Sequence, residues 1–308
     1  MVTKRIESQV PEVKITTYSQ LTDFYKKLKM PHRKWIFRGE EYDQRLRTSL
    51  EKAFKDIAAT VKEKDFDKHK LDAERDIIRD FQRKLHFYTN NIPTRADILQ
   101  WLALMQHHGA PTRLLDWTYS FWVAVHFATT RHSINEKTVI WAIDTEMLKD
   151  NDKKFLDQNK CAIQIIETEI KKQHDMPYSD PSAIKNNAAI HFLIENPKPV
   201  ICFTGSFRQN QRLTLQQGVF LALGDIRKSF WENLNTIDSK IVRKCFKKCI
   251  ITLKKDLKKD IILNLRQMNI NNAVLFPDID GFSQSLWTRV ALSHNLKLLI
   301  KDLKLYEW

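Results

Sequence analysis

The chain has 308 residues, of which 43% are hydrophobic, and its 51 basic and 37 acidic side chains give a formal net charge of +14. With only 6 Gly and 9 Pro, this composition excludes a disordered, collagen-like or low-complexity protein and predicts a globular one with a sizeable core. No stretch approaches the ~20 apolar residues of a membrane span, and the N-terminal segment lacks the apolar centre of a signal peptide, so we expect a soluble, cytoplasmic protein with no membrane partner.

Hydrophobic periodicity predicts the elements in chain order. Helices are expected over 17–28, 49–63, 69–88, 95–108 and 119–130, and around 256–268 and 281–302. Strands are expected over 34–39, 137–143, 198–203, 218–223 and 247–253. This order lacks the regular alternation of a doubly wound sheet. We therefore predict the α+β class, a single domain over 1–308, and a helical insertion at about 49–108.

The four cysteines, Cys161, Cys202, Cys245 and Cys249, form no C-x-x-C pair, and no histidines lie at zinc-finger spacing. We interpret them as reduced core thiols and predict no metal site.

The first candidate site is the segment PHRKWIFRGE (31–40), in which Arg38 and Gly39 directly follow an apolar pair. Arg38 ends a predicted strand, and glycine allows a sharp turn or the close approach of a ligand. Arg38 is expected either to bind phosphate or to tie the helical insertion to the sheet.

The densest polar stretch lies within LALMQHHGAPTRLLDWTYSFWVAVHFAT (102–129). His107 and His108 are adjacent, so on a helix they point about 100° apart. Arg113, Asp116 and Thr118 follow in a segment between two predicted helices. This segment is expected near a buried cleft, with an Arg113–Asp116 ion pair as the structural alternative.

The third candidate site is RQNQRLTLQQGVF (208–220). On a strand, Arg212 and Gln216 would share a face, and Gly218 would again admit a close neighbour.

These pieces resemble a known bacterial family. FRG at 37–39, QHHGAPTRLLDWTYSFWVAVHFA, RLTLQQGVF and LFPDIDG (275–281) are similar to recurring segments of the FRG-domain family, and the resemblance runs from about 17 to 290. The family name implies little about activity.

A more distant resemblance links the chain to the arginine-serine-glutamate class of ADP-ribosyltransferases. Phe37-Arg38-Gly39 is similar to the first motif of that class, and Thr118, Ala124 and Phe127 keep the spacing of its second motif. Asp116-Trp117-Thr118 stands where that class has Ser-Thr-Ser. Gln216 stands where it has a catalytic glutamate.

This second resemblance implies a mixed β core of the ADP-ribosyltransferase type and NAD as cofactor. The implied catalytic residues are Gln216, Thr118 and Asp116, and the implied cofactor-binding residues are Arg38, Gly39, Arg113, Trp117 and Phe127. Because an amide cannot act as a base, either Asp116 serves as the base or the acceptor is already nucleophilic.

The positive charge favours a nucleic acid as acceptor, RNA before DNA or protein, although the lysine clusters also fit solvated helix faces. We expect a toxin or anti-phage effector, and by analogy an antitoxin partner. Two alternatives stay open. One is a ribonuclease-type toxin using His107 or His108 with Arg113, and the other is a non-catalytic nucleic-acid-binding module.

Overall fold

The computed structural model describes residues 6–28, 34–58, 66–94, 97–130, 132–146, 194–195, 197–204, 211–234 and 239–287. Its strands are β1 (Glu12–Ile15), β2 (Trp35–Glu41), β3 (Leu114–Thr118), β4 (Lys137–Asp144), β5 (Ile201–Thr204), β6 (Gly218–Leu223) and β7 (Phe246–Thr252). Its helices are α1 (Tyr18–Leu28), α2 (Ser49–Ala58), α3 (Phe66–Lys84), α4 (Ile98–His107), α5 (Phe121–Thr129), α6 (Gln211–Leu215), α7 (Phe230–Asn233), α8 (Ser239–Cys245), α9 (Lys255–Gln267) and α10 (Asn272–Leu275).

The seven strands form one mixed sheet in the order β1-β7-β4-β2-β3-β6-β5. β1 and β7 are parallel, and the other neighbours are antiparallel. The α+β prediction is therefore confirmed at the level of a mixed sheet with flanking helices.

Both faces of this sheet are buried. Successive side chains of a strand point to opposite faces, and Ile36 and Phe37 of β2 accordingly belong to separate apolar clusters. Ile36 packs with Trp117 and Trp141, whereas Phe37 packs with α1, α5 and α9. This two-sided burial explains the apolar run Trp35-Ile36-Phe37 at the start of β2.

Helix α5 is apolar almost all round because it lies inside the second cluster. Its first turn is capped by Ser120, whose hydroxyl accepts a hydrogen bond from the backbone N–H of Val123. It packs directly on β2, and its buried side chains include Phe121, Ala124 and Ala128.

Helices α2, α3 and α4 occupy the predicted insertion, and Leu85–Phe87 adds one 3₁₀ turn. α3 and α4 pack through Ile78, Leu102 and Met105 against Phe220 of β6. Whether the chain is one domain stays a prediction.

A buried ion pair joins this helical segment to the sheet. Arg113 Nε donates to Glu74 Oε1 at 2.7 Å, and Nη2 donates to Glu74 Oε2. Arg113 Nη1 donates to the carbonyl oxygens of Leu223 and Gly224 at 2.9 and 3.0 Å. The side chains of Arg113 and Glu74 are 0% and 2% exposed. The prediction of an Arg113–Asp116 ion pair is therefore wrong, because Arg113 pairs with Glu74.

Several elements differ from the predictions. Residues 114–118, which hydrophobic periodicity left as a segment between two predicted helices, form β3, and β1, α7 and α8 were not predicted. The last predicted helix is observed over 279–287, and its remainder lies outside the described residues. No helix in the described parts of the chain has the length and apolarity needed to cross a membrane.

Candidate functional site

A gap in the sheet between β2 and β3 creates the candidate site. β2 pairs with β4 along all of Trp35–Glu41, and β3 pairs with β6 along all of Leu114–Thr118. Between β2 and β3, in contrast, the register contains only the pair Phe37–Thr118. Beyond that pair the two strands are not joined by a ladder.

The Arg38 side chain spans this gap. Its Nη1 donates to the backbone carbonyl of Asp116 at 2.7 Å, and its Nε donates to Glu40 Oε2 at 3.0 Å. The Arg38 side chain is 15% exposed. Arg38 therefore links the two strands while part of its guanidinium lines a cavity. Both of these hydrogen-bond partners lie on strands of the sheet, so the hydrogen bonds of Arg38 do not make the expected link to the helical insertion.

A cavity of about 310 Å³ opens at the gap. Its walls come from β2, β3, α5, α6 and α10. The lining residues are Phe37, Arg38, Gly39, Asp116, Trp117, Thr118, His126, Phe127, Thr130, Arg212, Gln216, Asn272 and Phe276. Seven of the eight residues assigned from the sequence line this cavity, and the eighth, Arg113, does not. Arg113 donates to Glu74 and to the carbonyl oxygens of Leu223 and Gly224, so its assignment to cofactor binding is corrected to a structural role.

Thr118 holds the turn that carries Gln216. The Thr118 hydroxyl donates to the backbone carbonyl of Gln216 at 2.7 Å and accepts from the backbone N–H of Ser120 at 2.9 Å. The side-chain Nε2 of Gln216 donates to the carbonyl of Leu275 at 3.0 Å. Because its amide N–H is directed to α10, Gln216 Oε1 is the group that remains for a ligand.

Gln216 does not lie on a strand, contrary to the sequence interpretation. It directly follows α6, and its backbone N–H donates to the carbonyl of Arg212 at 3.0 Å. Arg212 and Gln216 are therefore neighbours by helical spacing, four residues apart. The next residue, Gln217, has a φ of 48°, which turns the chain into β6.

Asp116 is the exposed carboxylate of the site. Its side chain is 60% exposed, Oδ2 accepts from Gln106 Nε2 at 2.9 Å, and Arg38 Nη1 lies 4.0 Å away. These contacts orient the carboxylate at the mouth of the cavity and leave it accessible.

Gly39 and Gly218, which the sequence analysis singled out, each leave room for a neighbouring segment of the protein. A Cβ on Gly39 would lie 2.0 Å from the carbonyl oxygen of Ala124 and 2.7 Å from the backbone nitrogen of Ala128. Gly39 is thus required for α5 to pack on β2. A Cβ on Gly218 would lie 2.3 Å from Cδ1 of Leu213.

Residues that the sequence did not assign complete the cavity. The Arg212 guanidinium lies 4.5 Å from the ring centroid of Phe276, whose ring also contacts Phe127. His126 is buried, and its Nε2 lies 2.9 Å from Asn272 Oδ1. The sequence did offer a sign of each residue. His126 is a lone histidine within an apolar predicted helix, and Phe276 belongs to the recurring segment LFPDIDG.

His107 and His108 lie outside the cavity wall, with ring centroids 4.8 Å apart. Burial lowers the pKa of His107, and His108 and Arg212 lower it further, while Asp278 opposes them. Arg113, the arginine of the ribonuclease alternative, is buried and paired with Glu74.

The described residues contain no cluster of three or more His, Cys, Asp or Glu side chains able to hold a metal. Cys245 and Cys249 are buried and Cys202 is partly buried, and these three cysteines form no disulfide within the described residues. Burial raises the pKa of the Cys249 thiol to about 12. Cys161 lies outside the described residues.

Comparison with known proteins supports one of the two resemblances. The FRG domain model matches residues 33–137, which contain β2, α2 to α5 and β3. No curated protein and no solved structure matches the chain.

Proposed function

We propose that the protein is an NAD-dependent ADP-ribosyltransferase that binds NAD in the cavity at the β2–β3 gap. One observation supports this assignment above all. Arg38, Thr118 and Gln216, from distant parts of the sequence, line a single cavity. Its size falls at the lower end of the ~300–1,000 Å³ of small-molecule sites.

The proposed reaction breaks the bond between nicotinamide and the ribose C1′ and joins C1′ to a nucleophilic atom of the acceptor. Nicotinamide leaves as a neutral molecule, taking the bonding electrons, so no strong acid is needed for its departure. The protein must then bind the diphosphate, orient the ribose and limit access of water.

Arg38 is the proposed diphosphate ligand. Its Nε and Nη1 are engaged by Glu40 and by the Asp116 carbonyl, which fixes the plane of the guanidinium. A fixed guanidinium makes paired hydrogen bonds to phosphate oxygens through its outer N–H groups. Nη2 is the nitrogen proposed for that contact.

The other roles follow from the hydrogen bonds. Thr118 positions the Gln216 turn, and Gln216 Oε1 is proposed to accept from a ribose hydroxyl. Asp116 is proposed to take the proton of the acceptor, because it is an ionisable, accessible group in the cavity wall and Gln216 cannot act as a base.

The proposed acceptor is a nucleic acid, RNA in preference to DNA or protein, because the net charge is +14. The biological role proposed on this basis is that of a cytoplasmic toxin or anti-phage effector, with an antitoxin as its protein partner by analogy alone.

Incubation with labelled NAD and separate pools of RNA, DNA and protein tests the proposal. We expect label in RNA, and we expect Asp116→Asn to abolish transfer while NAD still binds. Asp43→Asn, which removes an exposed carboxylate outside the cavity, is the matched control.

The other outcomes separate the alternatives. Intact NAD in every pool would reject the transferase, and label on protein would reject only the nucleic-acid acceptor. Shortened RNA without loss of NAD would indicate a ribonuclease, and RNA binding alone would indicate a binding module. Transfer to RNA should also fall at least tenfold between about 50 and 200 mM salt, since phosphate contacts release counterions.

A further inference from the structure

The wall of the candidate cavity contains a second guanidinium group, that of Arg212. The proposed reaction gives a role to Arg38 and none to Arg212. The two arginines come from different parts of the wall, since Arg38 lies on β2 and Arg212 lies on α6. A guanidinium in such a wall is a strong hydrogen-bond donor to oxyanions such as phosphate. Arg212 therefore makes the cavity a candidate site for a second anionic group.

Arg212 is positioned by contacts between α6 and α10. Its guanidinium lies over the ring of Phe276, 4.5 Å from the ring centroid, and the Phe276 ring packs edge-on against Phe127 with centroids 6.1 Å apart. One helical turn after Arg212, Gln216 Nε2 donates to the carbonyl of Leu275 at 3.0 Å. Because a contact with a ring face does not use the in-plane N–H groups of a guanidinium, it holds Arg212 without taking the place of an oxyanion.

Arg212 also acts on the C-terminal end of α4. Burial lowers the pKa of His107, and Arg212 is among the charges that lower it further, against the opposing charge of Asp278. His107 is the last residue of α4, and the residue before it, Gln106, donates to the Asp116 carboxylate at 2.9 Å. Arg212 and Asp116 therefore both border the end of α4, at the mouth of the cavity.

The mouth of the cavity is where an acceptor must approach the proposed base. The Asp116 carboxylate is 60% exposed there, and it repels the phosphate groups that a nucleic acid carries on every nucleotide. A cation beside that carboxylate offsets the repulsion. Contacts to phosphate also fix the register of a nucleic acid without reading its sequence. The position of Arg212 suits this task.

We infer that Arg212 binds a phosphate group of the nucleic-acid acceptor at the mouth of the cavity, with Phe276 as the positioning residue that holds its guanidinium. The inference rests on the proposed function for the identity of the acceptor. It assigns the two arginines of the cavity to different substrates, since Arg38 binds the diphosphate of NAD and Arg212 binds the acceptor.

Binding of RNA tests this site without requiring turnover. A short, fluorescently labelled single-stranded RNA is titrated with the full chain between about 50 and 200 mM salt and followed by anisotropy. We expect Arg212→Gln to weaken RNA binding about tenfold, because one charge-assisted contact is lost. The slope of log affinity against log salt should become shallower by about 0.7, the value for one phosphate contact on a single strand. NAD affinity, measured by calorimetric titration, should change far less.

Arg79→Gln is the matched control, because it removes one positive charge from an exposed position of α3 outside the cavity. Its RNA affinity should stay close to that of the unaltered protein. Phe276→Leu, which removes the ring under Arg212, should weaken RNA binding, and Phe276→Tyr, which keeps the ring, should not. In the Arg212→Gln protein, Phe276→Leu should have no further effect on RNA affinity, since the ring acts through the arginine.

An Arg212→Gln protein with unchanged RNA affinity and salt slope would overturn the inference, and so would an unaltered protein that does not bind RNA. Loss of NAD affinity without loss of RNA affinity would also overturn it and would assign Arg212 to NAD. If RNA binding depends on Arg212 but NAD is not consumed, the transferase falls and the phosphate site stands. If NAD is consumed and Arg212→Gln still modifies RNA normally, only the phosphate site falls.

Discussion

Arg38 and Arg113 show how one residue type serves two regions of this molecule. Arg113 makes hydrogen bonds through Nε, Nη1 and Nη2, all to Glu74 or to carbonyls at the end of β6, and its side chain is fully buried. Arg38 makes hydrogen bonds through Nε and Nη1 and lines a cavity. The number of donors that the protein itself uses separates a structural arginine from a candidate ligand-binding one.

The largest expected effect concerns the region around Arg113. Glu74→Ala leaves a buried guanidinium without its carboxylate, which should lower the free energy of unfolding by about 3–5 kcal/mol. Urea denaturation measures this change. Asp72→Ala, which removes an exposed partner of Arg75 on the same helix, should cost less than about 1 kcal/mol. Similar losses for the two variants would contradict the structural role of the pair.

Gly39→Ala tests whether the wall of the cavity is also tightly packed. The new Cβ would meet backbone atoms of α5 that cannot rotate away. The free energy of unfolding should therefore fall by about 1–3 kcal/mol or more. Gly218→Ala is the comparison, because its Cβ meets mainly the flexible end of Leu213 and should cost less. An equal loss in both variants would mean that α5 can shift away from β2.

Lysine substitutions of the two arginines sharpen the comparison directly. Lysine keeps the charge and loses the planar fork. Arg38→Lys should weaken NAD binding at least tenfold, about 1.4 kcal/mol, and change the melting temperature little. Arg113→Lys should do the reverse. Calorimetric titration with NAD and thermal melting provide the two measurements.

The assignment of Arg38 to the diphosphate would be wrong if its lysine variant melted as early as that of Arg113 and bound NAD normally. That result would place both arginines in the structural class.

The smallest expected effect is on pH dependence at His107. Its pKa is lowered in the folded protein, so the unfolded chain, with a histidine pKa of about 6.5, takes up the proton first as pH falls. This contribution to stability is present above about pH 6.5 and is lost below it. His107→Gln should therefore flatten the fall in melting temperature between about pH 7 and 5. His69→Gln, on the exposed side of α3, is the matched histidine substitution for comparison.

The sequence predicted most elements because apolar periodicity reports burial. α1 and β6 were predicted within a residue of their observed bounds. β1 was missed because three of its four side chains are exposed and show no apolar alternation. The segment around Leu213 alternates like a strand but forms α6, since alternation over so few residues does not distinguish the two structures.

The candidate site was predictable where the motif residues themselves line the cavity. Arg113 was misassigned because its partner, Glu74, lies 39 residues earlier on a helix that no local pattern connects to it. His126 and Asn272 were missed for a similar reason. Their contact joins α5 to α10 across 146 residues, and long-range pairs of this kind leave no mark in local spacing.

The pairing of β1 with β7 has a consequence for synthesis of the chain. Glu12 of β1 bonds Lys248 of β7, 236 residues later, so the edge strand has no sheet partner until β7 has left the ribosome. The strands that border the cavity, β2, β3, β4 and β6, all precede β7. Because chains emerge from their N-terminal end, the segments around the cavity are available to one another earlier than β1 is to its neighbour. Completion of the sheet at β1 is therefore expected to be a late, post-assembly step with a high loop-closure cost.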